Sequence, residues 1–87
     1  MNTTLRSLVI LLRNEINEAI AYENVNMAST KLGVLLGIYA ALFAEDYHAV
    51  STAYDFARMD LTDPLAIMAI SDDITRLIDY ESAEKES

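Results

Sequence analysis

Along most of the chain, apolar residues recur at intervals of three and four, the spacing of one face of a helix. Leu5, Leu8, Val9, Leu12, Ile16, Ala19 and Ile20 set this rhythm first, and Arg13, Asn14, Glu15, Asn17 and Glu18 form the polar side. Asn2, Thr3 and Thr4 supply short side-chain oxygens able to accept from the free N–H groups of a first turn. The pattern predicts a helix from about residue 4 to about residue 24. Ile10 and Leu11 break it by being apolar on the polar side. The first turns are therefore expected to be covered on two sides or to lie in an interface.

The next stretch, ENVNMAST, reads as a turn. Asn24 and Asn26 tolerate left-handed geometry, and Ser29 or Thr30 is placed to cap a second helix. A continuous, kinked helix is the alternative. Leu32 to Ala44 then carries no charge at all. Leu32, Leu35, Leu36, Tyr39, Leu42 and Phe43 form one stripe, and Gly33, Gly37, Ala40 and Ala44 form a second. A helix apolar on every side has to be surrounded, which predicts that the other helices pack around this one.

Glu45 and Asp46 end the apolar run, with Asp46 as the expected cap of a third helix over about Tyr47 to Met59. Its expected inner side is Tyr47, Val50, Tyr54, Ala57 and Leu61, with Ala53 beside them and Phe56 and Met59 projecting elsewhere. Leu61-Thr62-Asp63-Pro64 is the clearest punctuation. Proline is pre-set for a first helical position, so Asp63 should cap a fourth helix starting at Pro64. That helix carries Ile67, Ile70, Ile74, Leu77 and Ile78, widened by Leu65 and Met68. Ser71-Asp72-Asp73 resembles another cap, but the stripe keeps phase across it, which favours one helix with those three residues exposed. The closing ESAEKES lacks apolar periodicity and is expected to fray. These elements make an all-α four-helix bundle around an apolar second helix, with residues 1–80 as one domain and 81–87 as an acidic tail.

Composition changes the picture in two ways. At 53% apolar, an 87-residue chain has more hydrophobic surface than a small core needs. This raises the option of a homodimer. The chain has no cysteine, which excludes disulfides and thiolate metal sites. The apolar run Leu8–Leu12 is too short for an export signal, and Leu32–Ala44 falls short of a bilayer span. No membrane association is expected, and a cytoplasmic location is.

The second change is where the charge lies. Residues 1–44 balance Glu15, Glu18 and Glu23 against Arg6, Arg13 and Lys31. Residues 45–87 set eleven acids against Arg58, Arg76 and Lys85, so the whole net charge of −8 lies there. Helix spacing pairs Asp55 with Arg58, Asp72 with Arg76 and Glu81 with Lys85. Asp60, Asp63, Asp72, Asp73 and Asp79 are the candidate partner-binding residues. Such a surface repels nucleic acid and anionic membrane and attracts basic proteins.

Other chemistry is sparse. Gly33-x-x-x-Gly37, with Ala40 and Ala44, forms a small-residue groove for close helix packing, within the fold in preference to a dimer seam. Glu45-x-x-His48 has metal-ligand spacing. With a single histidine a complete site would need a dimer, and the two residues are expected to straddle a helix junction. His48 beside Ser51 or Thr52 lacks the third group that nucleophilic catalysis needs, and there is no glycine-rich phosphate loop. No cofactor is called for, and a non-enzymatic role is expected. The functional expectation is an inhibitor or adaptor whose acidic half docks on a basic, for example nucleic-acid-binding, protein. By size and charge alone, this is the class of DNA-mimicking phage-encoded antagonists of host defence. A dimeric carboxylate–histidine metal protein is the alternative.

Overall fold

Among the described residues of the computed structural model, 3–59 and 61–86, the chain forms α1 (Thr3–Ala21), α2 (Val25–Leu42), α3 (Tyr47–Ala57) and α4 (Pro64–Glu86). Side chains are described for residues 3–59 and 61–80. Short turns join the four helices in sequence. Helix α2 is central: it packs against α1, α3 and α4, and α1 also packs on α4.

The first turn shows why α2 starts earlier than its sequence pattern suggests. Glu23 takes the left-handed conformation, φ 61°. Its N–H bonds to the Ile20 carbonyl at 3.0 Å, and the Asn24 N–H reaches back to Ala19 O at 2.8 Å. These two bonds close the end of α1. Asn24 then serves the next helix as well, since its Oδ1 accepts from Met27 N at 3.1 Å. Ser29 and Thr30 lie inside α2 and do not cap it. The helix is 18 residues long with mean hydropathy 1.4, which by length and composition alone suffices to cross a membrane. Lys31 within it pairs with Glu15 of α1.

The core joins Val9, Leu12, Ile16 and Ala19 of α1 to Leu32, Leu35, Leu36 and Tyr39 of α2 and Ile67, Ile70, Ile74 and Ile78 of α4. Fully burying each of these valine, leucine and isoleucine side chains contributes about 1.5–3 kcal/mol. Tyr39 and Phe43 stack at 5.3 Å between ring centroids, tilted by 59°.

Several inward assignments need correction. Helix α2 is not surrounded, because all three partners pack on its Leu32–Leu36–Tyr39 side and leave Gly33, Val34, Gly37, Ala41 and Ala44 exposed. Beyond its own helix backbone and chain neighbours, a Cβ placed on Gly33 or Gly37 would meet no atom of the described residues within 4 Å, so these residues do not fill the small-residue groove. Ala40 is half-buried. Leu8, Ile10 and Leu11 of α1 are exposed rather than covered on two sides.

Helix α3 is turned the other way from its expected face. Ala49 and Ala53 are buried and Phe56 is half-buried, while Tyr47, Val50, Tyr54 and Ala57 are exposed. Small side chains let α3 lie close on α2, and the tyrosines keep their hydroxyls in water. In α4, capped by Asp63 as expected, Ser71 is fully buried and Leu65 is exposed. The helix is continuous through Ser71 and runs on to Glu86, over the stretch read as a tail. The side chains of 81–87 lie outside the described residues.

Candidate functional site

Helix α3 packs on α2, and α4 packs on α2 and α1, with a groove between α3 and α4. Its volume is about 690 Å³. Thr52 and Phe56 line it from α3, and Leu77 and Tyr80 from α4. Asp73, Arg76 and Asp79 form the edge. The floor is apolar: Phe56 and Leu77 are half-buried against the core, and Tyr80 is exposed above them. The threonine hydroxyl on the α3 wall is already committed, because Thr52 Oγ1 donates to the His48 carbonyl at 2.9 Å. On the edge, Arg76 Nη2 donates to Asp73 Oδ1.

The structure divides the five acids predicted to share a surface. Asp73 and Asp79 both border the groove. Asp63 belongs to the start of α4, where its Oδ1 accepts from Leu65 N at 3.0 Å. Asp72 faces α1, where Arg13 Nε donates to it at 2.9 Å, and it does not pair with Arg76 as its spacing suggests. Asp79 also lies 3.9 Å from Arg6 of α1. Asp60 lies outside the described residues, as do the side chains of the predicted Glu81–Lys85 pair. Arg58 sits over the Tyr54 ring, 5.5 Å from its centroid.

Helix spacing does not find the floor of the groove. Phe56 stands out of phase with the tyrosines of α3, and that misfit is the one signal in the sequence that points to it. Leu77 and Tyr80 continue the edge of the α4 stripe beyond what α1 and α2 cover.

The residues of the metal spacing straddle the α2–α3 junction, as the sequence suggests. Glu45 is in the turn after α2, while His48 is in the first turn of α3, with its N–H bonded to Asp46 Oδ1 at 3.0 Å. The two share no helix, and among the described residues no three acidic, histidine or cysteine side chains gather around a point where a metal would sit.

A smaller hollow of about 340 Å³ beside the α1–α2 turn has Ala19, Tyr22 and Met27 on its walls and the Lys31–Glu15 pair across it. Glu18 also lines it, and at about half the volume of the α3–α4 groove it is the lesser concavity of the two. No family model, no curated protein and no solved structure matches the chain.

Proposed function

We propose that the protein is a non-enzymatic interaction module, an inhibitor or adaptor in the cytoplasm, whose acidic half docks on a basic surface of another protein. One observation carries this reading. An apolar groove of about 690 Å³ lies in the half of the chain that holds the entire charge excess, and two carboxylates line it. Such an arrangement divides the work of binding. An anchor buried on Phe56 and Leu77 would supply affinity, while Asp73, Asp79 and the surrounding acids would steer approach and reject anionic competitors. Nucleic-acid-binding proteins present surfaces of the required sign, and nucleic acid itself is repelled.

The test is affinity capture from lysate at low and high salt, with the wild type compared with Asp73→Lys and Glu18→Lys. The two substitutions change net charge equally. The reading requires a basic protein whose recovery falls with salt and with Asp73→Lys, and much less with Glu18→Lys. Equal recovery with both variants would reduce the acids to a solubilising surface.

A second surface supports self-association. The Lys31–Glu15 pair ties α1 to α2, and by helix spacing Leu11 and Val34 fall one turn from its two members. Leu8, Leu11 and Val34 are 42%, 51% and 50% exposed, beside a stretch with no charge from Leu32 to Ala44. A molecule of net charge −8 can meet its own copy there without bringing acids together. A two-fold interface there would need exposed leucines of one copy to seat against the open glycine positions of the other.

A further inference from the structure

We infer that the occupant of the α3–α4 groove is a cationic amphipathic α-helix, an inference that rests on the basic-partner reading above. The groove's chemistry selects among the ways a protein segment can bind. An extended strand draws its affinity from main-chain hydrogen bonds to a sheet edge. Here both walls are helices whose backbone groups are bonded within α3 and α4, and among the described residues there is no strand. Thr52 spends its hydroxyl on its own helix. An occupant of this floor must therefore satisfy its own backbone and present apolar side chains, and a helix does both.

The dimensions agree. From Asp73 to Tyr80 the α4 wall runs two turns, about 10 Å at ~1.5 Å per residue, which matches apolar anchors at i, i+3 or i+4 and i+7 of a short helix. Charge complementarity fixes the sign of the flanks. Asp73 and Asp79 stand near opposite ends of that wall, and the same helix continues in sequence with Glu81, Glu84 and Glu86. Lysines or arginines flanking the anchors would meet these acids. Among the described residues lining the groove, Arg76 is the one cation, and an incoming cation would compete with it for the Asp73 carboxylate.

The experiment is fluorescence anisotropy of labelled peptides of about four turns, ~14 residues, titrated with the full chain. The first is a Leu/Lys helix with one apolar face. The second has the same composition scrambled to destroy that face, and the third replaces Lys by Glu. The inference predicts that the first binds about tenfold or more tighter than the second, and that the third does not bind. Tyr80→Ala and Leu77→Ala should each weaken the first about fivefold or more and leave the second unchanged. Asp73→Lys should weaken it more than Glu18→Lys. Tyr80 lies at the surface, so its variant keeps the test open if Leu77→Ala does not fold. If both cationic peptides bind alike and ignore Tyr80→Ala, the helix-in-groove inference falls while the basic-partner reading stands. If neither binds even at low salt, both fall.

Discussion

Arg13 and Asp72, 59 residues apart in sequence, meet across the α1–α4 seam with Nε donating to Oδ1 at 2.9 Å. Seven residues along each antiparallel helix, Arg6 and Asp79 approach to 3.9 Å. Two of the three cations in the charge-balanced first half thus stand against acids of the second. Asp72 is consequently a contact between helices, and its removal is expected to reach stability. A double-mutant cycle of Arg13→Ala and Asp72→Ala, followed by urea unfolding, should give a coupling of about 0.5–1 kcal/mol at low salt, because both groups are part-exposed. High salt should shrink it. The Arg6/Asp79 cycle should give much less. Zero coupling for Arg13/Asp72 at low salt would show that the seam is held by its apolar residues alone.

Glu23 holds a conformation that costs an L-residue with a long side chain about 1–2 kcal/mol relative to glycine. Glu23→Gly should therefore stabilise the fold by about 1 kcal/mol, a rise of roughly 4–8 °C in Tm for a domain of this size. A fall in Tm would mean that the Glu23 side chain contributes more than its backbone strain removes.

The same turn shows what local pattern can and cannot reveal. Asp46 and Asp63 are readable as caps because each stands immediately before a helical run, and Asp63 precedes a proline. The stripes Leu32–Leu35–Leu36–Tyr39 and Ile67–Ile70–Ile74–Ile78 are readable because their period is the helix period. The left-handed residue is not: Glu23 carries no preference for that geometry, whereas Asn24, which does, serves as a cap. The orientation of α3 is hidden because its tyrosines outweigh its alanines in apolarity yet are too large for a close approach to α2. The exposed side of α2 is hidden because an apolar residue carries no mark of whether a partner covers it. The groove depends on where α3 and α4 each dock, and the Arg13–Asp72 pair on the docking of α1 with α4. Neither is a property of spacing along one helix.

Because a Cβ at Gly37 meets no atom of the described residues within 4 Å beyond its own helix backbone and chain neighbours, Gly37→Leu should raise the Tm of the monomer by relieving a glycine penalty of about 0.5–1 kcal/mol. If a second copy lies on the α1–α2 face, the same substitution should disrupt association. Light scattering at micromolar concentration should then give about twice the 9.7 kDa chain mass for the wild type, and the chain mass for Gly37→Leu and for Leu11→Glu. A wild type that stays at chain mass into the millimolar range would rule out the dimer and leave the Tm prediction intact.

Ser71 sits fully buried in α4, and its Oγ has no hydrogen-bond partner among the described residues, although its carbonyl accepts from Thr75 Oγ1 at 2.8 Å. An unsatisfied buried hydroxyl is a net cost, and alanine is also the better helix former. Ser71→Ala should stabilise by about 1 kcal/mol. Destabilisation in a urea titration would show that the hydroxyl is bonded in solution.

The most direct test of the central claim, that the acidic α3–α4 side meets a basic protein, is site-specific photo-cross-linking in cells that express the chain. A benzoylphenylalanine replaces Tyr80 at the groove in one protein, and Glu18 on the exposed side of α1 in another. The account predicts a covalent adduct from position 80 to a protein with a basic surface. That adduct should fade in lysates as salt rises from about 0.05 to about 0.5 M, where screening shortens the range of exposed charges. Position 18 should give no such adduct. Adducts from position 18 and none from position 80, or a yield from position 80 indifferent to salt, would contradict it.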